Sequence, residues 1–233
     1  MKKLLFLVLI LFLTSCEQEP DLTVTGTIKG LKKGTLYLQK LQDTMMIAVD
    51  SLEVNGEAIF SLQSELEEPE VMVLKLDDNT TDEYRITFFA DKGITEINTT
   101  LKLFAYDAKI MGSDQQRRYE EFKDVERQFD NKDLDLLQER FDADLDGDTI
   151  KVSEIIKKSE GNLKRKYLYA VNFAMNNKDS EVAPYIALSE IPNINIKYLD
   201  TIYNALPEKI ANSKYGVELK TFIKERKEIE KND

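Results

Sequence analysis

The sequence contains no histidine, and Cys16 is its only cysteine. Without histidine, the Ser-His-Asp and Cys-His arrangements of nucleophilic catalysis are excluded, as are zinc and iron sites with imidazole ligands. A single thiol leaves no CxxC motif for disulfide exchange. The nine glycines are scattered, and none forms a phosphate-binding loop. An enzyme built from this chain would therefore depend on carboxylate, lysine or tyrosine chemistry.

Positive charge is also scarce, with 32 Lys and Arg residues against 43 Asp and Glu residues and a net charge of −11. This balance argues against a nucleic-acid partner and against adhesion to anionic lipid. The many carboxylates keep a carboxylate-based glycan hydrolase open as an alternative function. Because 43 acidic residues form pairs by chance, no particular pair in the sequence identifies such an enzyme.

Long apolar runs are absent except at the start of the chain. Lys2 and Lys3 precede an apolar run over residues 4–13, which has the charge order and length of a secretory signal peptide. The run is too short for a membrane-spanning helix, which needs about 20 residues. We therefore predict a lipoprotein signal peptide over residues 1–15.

The apolar run ends in Leu13-Thr14-Ser15-Cys16, which resembles the lipobox of bacterial lipoproteins. The resemblance implies that Cys16 is lipidated and becomes the new N-terminus, and that residues 16–21 form the lipidated tether. Membrane lipid is then a partner through Cys16. We expect the protein in the cell envelope, anchored to the outer membrane, with the periplasmic and surface faces both open.

Residues 22–112 have the pattern of short strands separated by turns, with about eight apolar segments at regular spacing. Residues 45–49 and 52–54 form two of these segments. Asn55-Gly56 favours a type I′ turn, so a hairpin is predicted there. This region is therefore predicted to form an antiparallel β-sandwich or open barrel.

From residue 113 the apolar period becomes that of helices, with Tyr119, Phe122 and Phe129 on one face. Ser113 is a suitable N-cap for the first helix. Residues 113–233 are predicted to form a helical domain. The predicted fold class is therefore α+β, with an N-terminal antiparallel β-sandwich or open barrel followed by an all-helical half.

One stretch has the spacing of a metal-binding loop. Asp142, Asp144 and Asp146 followed by Gly147 match the first half of a calcium loop, but position 12 is Ser153 instead of glutamate. In one interpretation the chain is a calcium-stabilised binding protein with four candidate ligands, Asp142, Asp144, Asp146 and Asp148. In the other, the stretch is an acidic turn in which Asp148 or Thr149 caps the next helix. No other cofactor is predicted.

Several short motifs resemble a known module. Asp50-Ser51, Val54 and Asn55-Gly56, followed by Ile59-Phe60, resemble the D-S-x-x-V-x-N-G-x-F-x-F hairpin of domain of unknown function 4369. Met111-Gly112-Ser113 resembles the end of that module and the start of its following helical segment. In envelope lipoproteins of this kind, the module and helices usually precede a thioredoxin-like domain that carries a CxxC.

The resemblance does not transfer redox activity, because the catalytic cysteines of that thioredoxin-like domain have no counterpart in this sequence. We therefore expect a non-enzymatic, membrane-anchored envelope lipoprotein that acts as a binding or assembly module. Its partner is an unidentified envelope protein or ligand. The resemblance also implies an accessory role in a thiol-disulfide system.

Overall fold

The computed structural model of the chain describes residues 19–42, 44–77 and 82–232. The predicted signal peptide, Cys16 and part of the predicted tether lie outside these residues. The described chain begins with eight strands, β1 (Leu22–Lys29), β2 (Lys33–Gln42), β3 (Met45–Asn55), β4 (Ile59–Ser64), β5 (Glu70–Leu76), β6 (Arg85–Ala90), β7 (Gly93–Thr100) and β8 (Lys109–Met111). Six α-helices follow, α1 (Asp114–Leu145), α2 (Thr149–Asn176), α3 (Val182–Ser189), α4 (Ile196–Ala205), α5 (Glu208–Ala211) and α6 (Lys214–Asn232).

The strands form two four-stranded sheets, with the orders β4-β1-β7-β8 and β3-β2-β5-β6. The predicted α+β class is confirmed, and the sheets are open and do not close into a barrel. One pair departs from the antiparallel pattern, since β1 and β7 run parallel from Leu22 beside Gly93 to Lys29 beside Thr100. Strand β4 already pairs antiparallel with β1 on its other edge, and β7 joins β1 after the chain has passed through β5 and β6 of the second sheet.

The Asn55-Gly56 segment does not form the predicted hairpin. Only Gly56 has a positive φ, +101°, whereas a type I′ turn needs positive φ at both central residues. Strands β3 and β4 belong to different sheets, so the chain crosses between sheets at this point. The Gly56 N–H donates to the Lys32 carbonyl oxygen at 2.9 Å. Asp50 ties the two edge strands together, because its carboxylate accepts from the Gln63 N–H at 2.7 Å.

Two hydrophobic cores meet at the second sheet. The adjacent residues Phe88 and Phe89 on β6 point to opposite faces, as alternate residues of a strand do. Phe88 packs in the core between the two sheets, whereas Phe89 packs in the helical core on the outer face. Polar contacts join the same surfaces, since the Val71 N–H donates to Tyr215 Oη at 2.8 Å and the Phe89 N–H donates to Gln116 Oε1 at 2.6 Å.

The first two helices are the longest elements of the described chain. Ser113 caps α1 as predicted, because its hydroxyl accepts from the Gln116 N–H at 3.2 Å. With 32 and 28 residues, α1 and α2 are roughly 48 and 42 Å long. They pack antiparallel as a helical hairpin, and its distal part, residues 130–165, has its own small core. No helix in the part of the chain that the structure describes is long and apolar enough to cross a membrane.

Candidate functional site: the distal helical hairpin and the sheet–helix junction

The acidic stretch at residues 142–148 forms the turn of the helical hairpin. Helix α1 continues through Asp142 and Asp144, and Gly147 follows with a φ of +70°. The Gly147 N–H donates to the Asp144 carbonyl and the Asp148 N–H to the Ala143 carbonyl, which is the Schellman arrangement at a helix end. Asp148 then caps α2, with its carboxylate accepting from the Lys151 N–H at 2.9 Å. The interpretation as an acidic turn with Asp148 as the cap is confirmed.

The interpretation of this stretch as a calcium loop does not agree with the geometry. Asp142 and Asp144 are both helical and two residues apart, so their side chains diverge by about 200° around the helix axis. Asp142 accepts from Gln138 at 3.0 Å, and Asp148 is used as a cap. In residues 19–42, 44–77 and 82–232, no group of three or more acidic or cysteine side chains is arranged to hold a metal ion. The four predicted ligands, Asp142, Asp144, Asp146 and Asp148, are therefore not brought together.

Two grooves lie where the helices meet the second sheet, and Tyr185 lines both. The first has a volume of about 740 Å³ and is rich in glutamate. Its most buried charge, Glu70, is already paired with Lys214 and with Lys40, the latter at 3.5 Å. The second groove, of about 960 Å³, lies between β6 and α1. It contains cations and acids together, including Lys123 and Glu120.

A pair of carboxyl groups, one buried and one partly buried, joins α1 to the end of α3. Glu126 on α1 and Glu190 at the end of α3 share a hydrogen bond, and two lysines contact them. Lys166 Nζ lies 3.1 Å from Glu126, and Lys123 Nζ lies 3.8 Å from Glu190. Burial and, next to it, the hydrogen bond with Glu126 together raise the pKa of Glu190 to about 7. Although burial opposes ionisation of Glu126, its bonds to Glu190, Lys123 and Lys166 hold its pKa below the ordinary value.

This carboxyl pair does not have the geometry of a glycosidase. The two carboxyl groups of such enzymes lie about 5–9.5 Å apart across the scissile bond, whereas Glu126 and Glu190 are in hydrogen-bond contact. Burial raises the pKa of nearby Tyr119 to about 12, so its hydroxyl stays protonated near neutral pH. The pair is thus arranged to share a proton within the fold.

The distal hairpin presents a different kind of surface. Asn162 fixes the register of the two helices, since its side-chain N–H groups donate to the Phe129 carbonyl and to Asp133, both at 2.9 Å. Leu136, Ala143 and Ile155 are buried between the helices. These residues mark the side of each helix that faces its neighbour.

Several apolar residues of the distal hairpin are left in solvent, with exposed fractions from 38% at Ile156 to 75% at Ile150. Many of these residues come directly after a residue that faces the neighbouring helix. Leu137 follows Leu136 in this way, and Ile156 follows Ile155. One step rotates a side chain by about 100°, and in antiparallel helices this step leads to the same side of the hairpin. We call this side the apolar face, and it consists of Leu134, Leu137, Phe141 and Leu145 on α1 and Ile156 and Leu163 on α2; Ile150, about 120° from Ile156 around the helix axis, lies outside it.

The opposite side of the hairpin is charged. The residues one position before those at the helix–helix contact include Lys132, Asp135, Asp142, Glu154 and Lys158, all exposed. The hairpin therefore has one charged side and one apolar side, and only the charged side is typical of a helix surface in water. An exposed apolar surface of this kind marks an interaction site.

The apolar face was not predicted from the sequence, although two dipeptides carried a signal for it. In Leu136-Leu137 and Ile155-Ile156, two apolar residues stand side by side in helices whose remaining residues are mostly polar. Because neighbours differ by 100° around a helix, only one member of each pair can face the partner helix. The other member remains available to another surface.

Comparisons with known proteins cover only the N-terminal part of the chain. Residues 22–119 match the family model described as "Domain of unknown function (DUF4369)". The match includes all eight described strands and the start of α1, and it confirms the predicted N-terminal module. No curated protein and no solved structure matched the chain. The distal hairpin and the later helices lie outside the matched segment.

Proposed function

We propose that this chain is a membrane-anchored envelope lipoprotein that acts as a non-catalytic binding or assembly module, and that the apolar face of the α1–α2 hairpin is its binding surface. The observation that carries the proposal is the exposure of six large apolar side chains on one side of the hairpin. Their exposure is unfavourable in water, and burial against a partner removes that cost.

The anchor is the second part of the proposal, and it is supported by the sequence alone. The lysines, the apolar run and the Leu13-Thr14-Ser15-Cys16 stretch provide the order expected of a lipoprotein signal. A lipid on Cys16 would hold the chain at a membrane, which we propose is the outer membrane. The hairpin, which extends up to about 48 Å, would then present its apolar face at a distance from the anchor.

The role in a thiol-disulfide system remains a proposal that depends on the resemblance of the N-terminal module. In that role the chain would associate with an envelope protein that carries a CxxC motif, independently of what occupies the apolar face. Affinity purification of the full chain from solubilised envelope should then co-purify such a protein, and its absence would argue against this role.

Photo-crosslinking in cells tests the binding surface. A photoreactive phenylalanine analogue at Phe141, which is 59% exposed, should give a discrete adduct on irradiation of cells that produce the full chain. The matched control places the analogue at Val217 on α6, an apolar residue that is 50% exposed outside the hairpin. This control should give no adduct of the same mass.

A second variant separates binding through the face from chance proximity. Leu134→Asp and Leu137→Asp, made together with the analogue at Phe141, should abolish the adduct, because each places a charge within the proposed contact. Circular dichroism of this variant should remain that of the parent, since both residues are exposed. No adduct from Phe141, or an adduct that persists in the double variant, would show that the face is not the binding surface.

A further inference from the structure

We infer that the partner of the apolar face is a second copy of this chain, so that two hairpins form a four-helix bundle about a two-fold axis that runs along their length. The inference rests on the proposed function, because it names the occupant of the same surface. It is carried by the area of the face, by its shape and by the distribution of charge over the two helices.

The area of the apolar face suits a pairing of two hairpins. Its six side chains together expose roughly 500 Å² of apolar surface, which is in the upper part of the range for the largest patch on a typical monomer. Polar rim residues such as Gln138 and Lys157, both exposed, would bring each chain to the ~800 Å² that one partner contributes to a stable interface.

The shape of the face also suits a copy of itself. From Leu134 to Leu145 the face runs about 16 Å along α1, and Ile156 and Leu163 extend it over about 10 Å of the neighbouring α2. A two-fold axis needs one patch that is complementary to itself. Two antiparallel hairpins stacked in this way have the arrangement of a four-helix bundle, whose helices pack through apolar rows.

Charge selects one of the two possible two-fold arrangements. In residues 127–145 of α1, six acidic residues stand against three basic ones, whereas residues 149–166 of α2 have six basic and two acidic residues. An axis along the hairpins places α1 of each chain over α2 of the other, so acidic and basic helices face each other. An axis across the hairpins would place α1 over α1 and repel like charges. The first arrangement also points both hairpin tips in the same direction.

The same charges argue against a membrane as the occupant. Helices that lie in the membrane interface combine an apolar side with many lysines and arginines. In residues 127–166 the nine basic residues are offset by ten acidic residues. Anionic lipid would therefore gain little attraction from this hairpin, whereas a second copy offers charges of both signs in the complementary order.

Sedimentation equilibrium of the full chain in density-matched detergent tests the dimer. The wild-type chain should be a dimer, and Leu137→Asp with Phe141→Asp should raise its dissociation constant by at least about 100-fold. The matched control is Val217→Asp with Ile229→Asp, which places the same charges on exposed apolar residues of α6. This control should leave the dissociation constant unchanged.

Crosslinking in cells tests the arrangement of the two copies. Asp146 lies at the hairpin tip and is exposed. In Asp146→Cys, a short bis-maleimide should join two chains, because the lengthwise axis brings the tips together. The wild-type chain, whose only thiol is Cys16, is the control and should not be joined through its hairpin. Lys157→Glu with Lys164→Glu should weaken the dimer, since both lysines lie on the basic helix at the edge of the face.

Three outcomes would overturn the inference. A wild-type chain that remains monomeric at about 100 µM has no dimer of functional strength. A dimer that survives the Leu137→Asp and Phe141→Asp changes uses another surface. If the Cys16→Ser chain floats with phosphatidylglycerol vesicles, and the same two changes abolish this flotation, the apolar face binds a membrane. A monomer that still gives a Phe141 adduct with a different protein would refute the dimer and leave the proposed function standing.

Discussion

The Glu126–Glu190 pair should make the stability of the protein depend on pH near neutrality. The pKa of Glu190 is about 7 in the folded chain, against an ordinary value of 4.5. Between these values the folded chain holds a proton that the unfolded chain has lost, so stability is greatest at low pH and falls as pH rises through this window. From about pH 5.5 to about pH 8 the loss is about 2 kcal/mol.

Glu190→Gln should remove this dependence. Glutamine can still donate to Glu126, as protonated Glu190 does, but it has no proton to lose. Lys123 and Lys166 face the pair. Although burial opposes the charge of Lys166, its hydrogen bonds to Asp130 and Glu126 raise its pKa above the ordinary value, so it stays charged throughout the window. Glu126, whose pKa is held below its ordinary value, titrates at lower pH. The stability of the variant relative to wild type should therefore increase by about 2 kcal/mol between about pH 5.5 and about pH 8.

Urea denaturation at the two pH values measures this difference directly, provided that the m-value does not change. Glu154→Gln is the control, because Glu154 is an exposed residue of α2 outside the pair. Its effect should be the same at both pH values. If Glu190→Gln also shifts stability equally at both pH values, Glu190 does not hold a proton in the folded chain and the reasoning about the pair is wrong.

Three other predictions concern the anchor, the sheet–helix junction and the hairpin turn. Cys16→Ser should abolish labelling by a clickable fatty acid and release the protein into the soluble fraction; retention in the membrane after a carbonate wash would contradict lipidation. Tyr215→Phe should destabilise the fold by about 1–2 kcal/mol in urea denaturation, because it leaves the Val71 N–H without its partner. An unchanged free energy of unfolding would mean that water replaces the hydroxyl. Asp148→Ala should cost about 1 kcal/mol through the lost cap of α2, and the melting temperature of the wild type should not rise with millimolar calcium. A calcium-dependent rise that this variant abolishes would restore the calcium interpretation.

The Asn55-Gly56 turn shows that the sequence predicted the presence of strands but not their pairing. Alternation predicted most of the strands, because one side of a sheet packs in a core and the other does not. The separate segments 45–49 and 52–54 proved to be one strand, β3, with a change of register opposite Leu38 and Gln39. Which strands pair depends on contacts far apart in the chain. The parallel pairing of β1 with β7 is one of these.

The sequence by itself determined the change from strands to helices near residue 113, the N-terminal module, the cap at Ser113 and the lack of histidine or CxxC chemistry. These properties depend on local periodicity, on the residues of a turn or on residue types. Only the tertiary structure decided that Leu136 is buried while Leu137 is exposed, and that Glu126 meets Glu190. Two neighbouring apolar residues of a helix cannot be told apart by residue type, and only the packing of other elements decides which of them is exposed to solvent.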